Sequence, residues 1–221
     1  MRPFLVEERR MIESAEAAKG LREIACGGVF CWIARRRGLL TSLLGGIAIA
    51  NALWGDAEPL DLLGEGRSVW APWILALVVL GVMVRIWGAG NLKKKAEVTR
   101  TGIYRMVRHP LYLGNNLVFL AFFLSLGAPI LNVSLFLLLV LVVHYPVMLQ
   151  EEKRLAREYP EGFAQHEGVP RLVPDLRALP AALATDSFCL RRALQNRAAM
   201  SLWAFALPFA MEGLIWLRGV V

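Results

Sequence analysis

Residues 101–114 read Thr-Gly-Ile-Tyr-Arg-Met-Val-Arg-His-Pro-Leu-Tyr-Leu-Gly, and they concentrate groups able to hold a charged small molecule where an apolar run begins. Pro110 suits the first turn of a helix, because its missing N–H would lack a partner there anyway. The open amides of that turn, with Arg108 and His109 beside them, make a ready anion site. Further along the same helix, Tyr112, Asn115, Asn116 and Phe119 fall at i, i+3, i+4 and i+7, which is one face. Side-chain amides at that depth need polar partners, supplied either by a ligand or by a neighbouring helix.

A matching set follows. His144, Met148, Glu151 and Leu155 align at i+4, i+7 and i+11, with Tyr145, Leu149 and Glu152 on the adjacent stripe. The apolar runs 112–127 and 130–149 are joined by Gly127-Ala128-Pro129, a stop and turn signal, so they read as a helical hairpin. A hairpin sets the bottom of one arm beside the bottom of the other. Glu151 and Glu152 are therefore expected near Arg108 and His109. Taken alone, Glu151-Glu152-Lys153-Arg154 would be an ordinary solvated helix end.

The elements that must position these groups are membrane helices. The chain has 221 residues, 57% hydrophobic and 19% charged, with mean hydropathy +0.49. That is more apolar surface than a soluble domain of this size can bury in one core, and it is gathered into runs of spanning length. The expected class is an all-α integral membrane protein with about five transmembrane helices. Residues 1–37 read as an interfacial amphipathic helix ending at Arg35-Arg36-Arg37. Residues 38–197 form the core, with spans at about 38–54, 70–91, 112–127 and 130–149 and a polar lobe over 150–197. Residues 198–221 are a further span or, because Pro208 and Glu212 interrupt them, a broken helix.

The net charge of +7 comes from basic residues flanking apolar runs, notably Lys93-Lys94-Lys95, as orientation in a bilayer requires; nucleic acid is not an expected partner. The acidic loop after the first span should face outward, and the Lys93–Arg108 stretch the cytoplasm. Arg85 is expected to be structural, snorkelling to headgroups beside Trp87. Cys26, Cys31 and Cys189 form no C-x-x-C pair, and no histidine stands at ligand spacing. Neither a disulfide framework nor a metal site is expected.

The string T-G-x-Y-R-x-x-R-H-P-x-Y-x-G, the Glu-Glu pair closing the next long helix, Phe163, His166 and Val169-Pro170-Arg171-Leu172-Val173-Pro174 resemble the C-terminal half of the isoprenylcysteine carboxyl methyltransferase and phospholipid methyltransferase superfamily. Arg85-Ile86-Trp87 resembles the family's upstream R-x-W element, and the likeness covers about residues 80–175. One departure stands out: the family often has F-G-x-x-Y-x-x-Y after the acidic pair, where this chain has Tyr159-Pro160-Glu161-Gly162-Phe163 and then His166. The resemblance implies an S-adenosylmethionine site, with S-adenosylhomocysteine as product, built without a Rossmann domain. No strand followed by a Gly-rich turn and helix is found in the sequence. It implies cofactor contacts from Tyr104, Arg108, His109, Pro110, Leu111, Tyr112, Gly114, Glu151 and Glu152, with Asn115, Asn116 and Met148 on the acceptor side. The division of labour between the two glutamates stays open.

The chemistry is an in-line displacement whose leaving thioether is neutral, so positioning dominates, worth ~7–11 kcal/mol in well-oriented reactions. A carboxylate acceptor is already ionised, and Arg154 could orient it. An amine acceptor needs a base, and His144 is the candidate. The expected function is methyl transfer to a lipophilic or amphiphilic acceptor, prenylated ones included, at the cytoplasmic surface of a multi-pass protein of a prokaryotic inner membrane. An isoprenylcysteine-type carboxylate leads, with a phospholipid amine as alternative. Two other classes compete: a sterol-reductase-like NADPH reductase and a non-catalytic membrane scaffold. NADPH brings roughly four negative charges, which Glu151 and Glu152 would repel.

Overall fold

The computed structural model describes residues 28–56, 58–64, 66–93, 97–184, 188–196 and 198–220. Most of the amphipathic helix expected over 1–37, together with Cys26, Lys94 and Lys95, lies outside them. The chain is all-helical, and the described residues contain no strand.

The first helix, α1 (Val29–Trp54), runs without a break through Arg35-Arg36-Arg37 and Gly38, although an interfacial piece was expected to end at residue 37. Arginine side chains are long enough to reach water while the backbone continues into lipid, and one internal glycine costs only about 1 kcal/mol. Helix α2 (Ala71–Asn91) opens on Pro72 and buries the stripe Ile74, Val78 and Val82. Helix α3 (Pro110–Ser125) ends in a tight turn where Gly127 and Ala128 take left-handed φ of 70° and 41°. From there α4 (Pro129–Leu138), a π-helical segment (Leu139–His144) and α5 (Tyr145–Glu158) form one continuous rod of 30 residues.

Three of these are long and apolar enough to cross a bilayer: Cys31–Trp54, Ala71–Asn91 and Pro129–Glu158. Helix α3 is apolar but has only 16 residues, about 24 Å at 1.5 Å per residue. The π-helical segment has a sequence cause. Pro146 has no N–H to donate and would collide with the carbonyl four residues back, and the ladder shifts just before it, Tyr145 N donating to Val140 O.

Helices α2 and α3 cross backbone to backbone. A Cβ on Gly114 would lie 2.6 Å from Arg85 Cγ and 2.7 Å from Gly81 O, and one on Gly81 would lie 2.8 Å from Gly114 O. Two facing glycines let these helices approach in a way no larger pair allows. The apolar core (Leu44, Ala48, Ala52, Ile74, Val78, Phe123, Leu126, Leu139) fills the half of the bundle remote from residues 101–110.

The C-terminal part ties both ends together. Beyond the short α6 (Pro160–Ala164) and α7 (Leu179–Leu183), α8 (Leu190–Gln195) packs on α2. Asn196 Nδ2 then donates to the last carbonyls of α2, at Ala89 (2.8 Å) and Leu92 (3.0 Å). A 3₁₀ segment (Ala198–Ala206) and α9 (Leu207–Val220) follow, changing hand-over at Leu207, directly before Pro208. Arg218 finally donates to Ala52 O and Gly55 O, both at 2.9 Å, at the far end of α1. The stretch 198–220 therefore joins opposite ends of the bundle, about 40 Å by helical rise. One covalent feature differs from expectation: Cys31 is disulfide-bonded, its partner lying outside the described residues, while Cys189 is free.

Candidate functional site

The residue before a proline is pushed into extended backbone, so His109 cannot begin the helix and the chain from Met106 to His109 stays open for pairing. The lobe segment around Pro170 and Pro174 is likewise non-helical, with bends at 169 and 171–173. The two lie side by side: Arg108 N donates to Pro170 O (2.7 Å), His109 N to Arg171 O (3.1 Å) and Asp175 N to Met106 O (2.9 Å).

This pairing delivers three cationic or donor side chains to one buried carboxylate. Glu152 Oε1 lies 3.0 Å from Arg108 Nη1 and accepts from His109 Nε2 at 3.0 Å. Arg171 grips both oxygens, Nε at 3.0 and 3.1 Å and Nη2 at 3.0 Å. The rest of the Arg108 guanidinium is spent as well, donating to Val169 O (3.1 and 2.8 Å) and to Glu167 O, with the Phe163 ring 5.8 Å away. Burial holds His109 below its ordinary pKa, partly offset by Glu152 and Glu151, while Glu152 raises that of Arg171. Charge-assisted, partly bidentate bonds of this kind fix geometry as well as energy.

Its neighbour differs. Glu151 is half-buried and forms no hydrogen bond or ion pair with a described residue, yet it is within electrostatic reach of Tyr104, His109 and Tyr112. Burial first, and Glu151 second, push the Tyr104 phenol far up, so it stays protonated. The first turn of α3 has no side-chain cap, leaving its opening amides as donors beside these groups.

A polar seam climbs from here between α3 and the long rod. His109, Tyr112, His144 and Phe119 stand in ring contact at 5.7–5.9 Å. His144 Nδ1 donates to Asn116 Oδ1 at 2.6 Å, and Arg37 of α1 acts electrostatically on Tyr112 and His144. The amide pair is split, however. Adjacent helical residues diverge by about 100°, and Asn115 turns to α2, where it accepts from Arg85 Nη1. Arg85 thus ends on a helix partner rather than among headgroups.

Of the residues read from sequence, Tyr104, Arg108, His109, Tyr112, Glu151 and Glu152 are brought together, with His144 and Asn116 one turn higher. Pro110 and Leu111 pack against Gly88, and Gly114 against Gly81 and Arg85, so those side chains face α2. Met148 is fully buried. Arg154 is 63% exposed and pairs with Glu158 at 3.8 Å, away from the cluster. Two members were not singled out for the site: Arg171, present in the quoted Val-Pro-Arg string, and Arg37, whose triplet reads equally well as an orientation signal. Among the described residues no group of three or more His, Cys, Asp or Glu is gathered as for a metal ion.

Comparison with known proteins reaches the same stretch. No curated protein and no solved structure matches the chain. The family profile described as phospholipid methyltransferase matches residues 73–162, from the start of α2 to just past the Glu151-Glu152 pair. That segment, which holds the Arg-His-Pro turn, the hairpin and the glutamate pair in the arrangement described above, is similar to the phospholipid methyltransferase family, part of the superfamily of integral membrane methyltransferases.

Proposed function

We propose that this protein transfers a methyl group from S-adenosylmethionine to a lipid amine at the cytoplasmic membrane surface. The observation that carries the cofactor part is the inequality of the two glutamates. Glu152 is saturated by Arg108, His109 and Arg171 and acts as the clamp that holds the lobe on the hairpin. Glu151 keeps an uncommitted carboxylate beside Tyr104 and Tyr112. A carboxylate and two aromatic rings fit the ammonium and sulfonium charges of this cofactor, and the uncapped amides of α3 fit its carboxylate. The cofactor, when bound, supplies an electrophilic methyl group. The same arrangement disfavours NADPH, whose phosphates would meet Glu151.

The acceptor follows from what the chain offers beyond the cofactor. Arg154, the residue suited to a carboxylate acceptor, lies on the outer surface with Glu158. His144 is buried in the seam. Because an amide oxygen only accepts, Asn116 fixes the His144 proton on Nδ1 and leaves Nε2 bare. A bare Nε2 removes the proton that an alkylammonium must lose before it can attack, and the apolar rods leave room for the lipid tails outside.

The test is binding, then turnover. Thermal stabilisation of detergent-purified protein by S-adenosylhomocysteine is expected, about 2.7 kcal/mol at a hundred times its dissociation constant. Labelled methyl should pass to phosphatidylethanolamine and not to a prenylcysteine. Stabilisation by NADPH instead, or by neither ligand, overturns the cofactor reading. Transfer to the prenylcysteine alone overturns the amine.

A further inference from the structure

On the lobe side of the clamp lies a second feature that methyl transfer does not use. A pocket of about 300 Å³ opens between the 3₁₀ turn at Gly102–Arg105, the 165–169 loop and α7, lined by Arg100, Arg105, Gln165 and His166 with Val169 and Ala178. No lining residue is acidic. Arg100 and Arg105 are exposed and make no ion pair with a described residue. The carboxylate closest to Arg100 in sequence, Glu97, is taken by Lys93 at 2.7 Å. His166 is 4% exposed, lines the pocket, and has no hydrogen-bond partner for its ring among the described residues. With no partner among the described residues and its nitrogens not sealed from solvent, the ring is available to a ligand in the pocket.

The field is one-sided. Burial, and then Arg108, His109 and Arg100, hold the His166 pKa down to about 4, with only Glu152 opposing. The ring is therefore neutral and able to donate one N–H. Two guanidiniums, an imidazole N–H and a carboxamide among the lining residues provide many donors and no carboxylate, which suits a multiply charged oxyanion such as phosphate.

We propose that this pocket binds a phosphate group, carried by an anionic lipid headgroup or by a soluble phosphate. Arg100 and Arg105 are exposed and follow α2, a helix long and apolar enough to cross a bilayer, so a headgroup and a soluble phosphate both have access. Nothing in the proposal depends on the methyl-transfer reading.

Inorganic phosphate is titrated into the detergent-solubilised full chain against chloride at equal ionic strength, followed by thermal melting and by the imidazole resonances of histidine-labelled protein. In parallel, native mass spectrometry compares retention of phosphatidylglycerol and phosphatidylcholine. A phosphate-specific rise in melting temperature with a shift of the His166 resonance supports the site and a soluble source. Selective retention of phosphatidylglycerol without a response to free phosphate supports the site with a headgroup as its ligand. In either case Arg100→Gln and Arg105→Gln, both surface changes, should each weaken the response about ten-fold. Absence of both responses, or responses unchanged in the two folded variants, overturns the proposal.

Discussion

His109 and Glu152, 43 residues apart, meet at 3.0 Å, and that bond closes the hairpin at the end where the polar lobe docks. Glu152 is 7% exposed, Arg108 8%. Removing the charge leaves the buried Arg108 guanidinium without its carboxylate, while Arg171, 43% exposed, can turn to water. Loss of one partner from a buried network costs about 3–5 kcal/mol, so Glu152→Gln should lower unfolding free energy by about 3 kcal/mol in urea titrations of micellar protein. A change below about 0.5 kcal/mol would show that the clamp does not hold the lobe.

Glu151→Gln should do the reverse. Its carboxylate has no described partner, so stability should move by less than about 0.5 kcal/mol, as for surface changes generally. Binding of S-adenosylhomocysteine should fall more than ten-fold, about 1.5–3 kcal/mol for a charge-assisted bond. Calorimetry on the folded variant reads this directly, and wild-type affinity would remove Glu151 from the site.

The seam makes a kinetic prediction. His144→Gln should lower kcat for an amine acceptor by about 10²–10⁴ while cofactor affinity holds. Asn116→Leu keeps the imidazole but frees its tautomer; the expected loss is about ten-fold, with a displaced acidic limb in the pH–rate profile. Equal loss of cofactor binding in both variants would mark the pair as helix glue alone.

Stability should also fall in acid through His166. Its folded pKa, about 4, lies below the ordinary 6.5, so between those values the unfolded chain binds the proton and the native chain does not. Stability therefore declines as pH drops from about 6.5 to about 4 and levels off below. His109 adds in the same direction. His166→Gln should flatten the denaturation midpoint over that window in chloride buffer; an unchanged slope would assign the acid sensitivity to other groups.

Gly114→Ala should destabilise by about 1–3 kcal/mol, because the added methyl meets Gly81 O and the Arg85 backbone at 2.7 and 3.1 Å. Gly46→Ala in α1, with open space around its Cβ position, is the control and should be neutral or slightly stabilising. Equal effects of the two would mean that α2 and α3 do not cross at the glycines.

The all-helical class and the meeting of the Arg-His-Pro turn with the glutamate pair were legible in the sequence because they rest on local patterns. Apolar runs set helix length, Gly127-Ala128-Pro129 sets the hairpin, and Pro110 sets where α3 starts. Those alone bring the Arg-His-Pro turn to the glutamate pair. What local periodicity could not decide is which way each side chain turns once helices meet. Glu151 and Glu152 are adjacent and identical in type; only the docking of the lobe through Arg171, 19 residues on, makes one the clamp and leaves the other open. Asn115 and Asn116 are separated in the same way, one by Arg85 and one by His144. The π-helical turn before Pro146 also alters the register on which His144, Met148 and Glu152, rather than Glu151, become the buried set. A helix face is a property of one chain segment, but its partner is chosen by long-range packing, where desolvated charges must be paired or pay the full cost of burial.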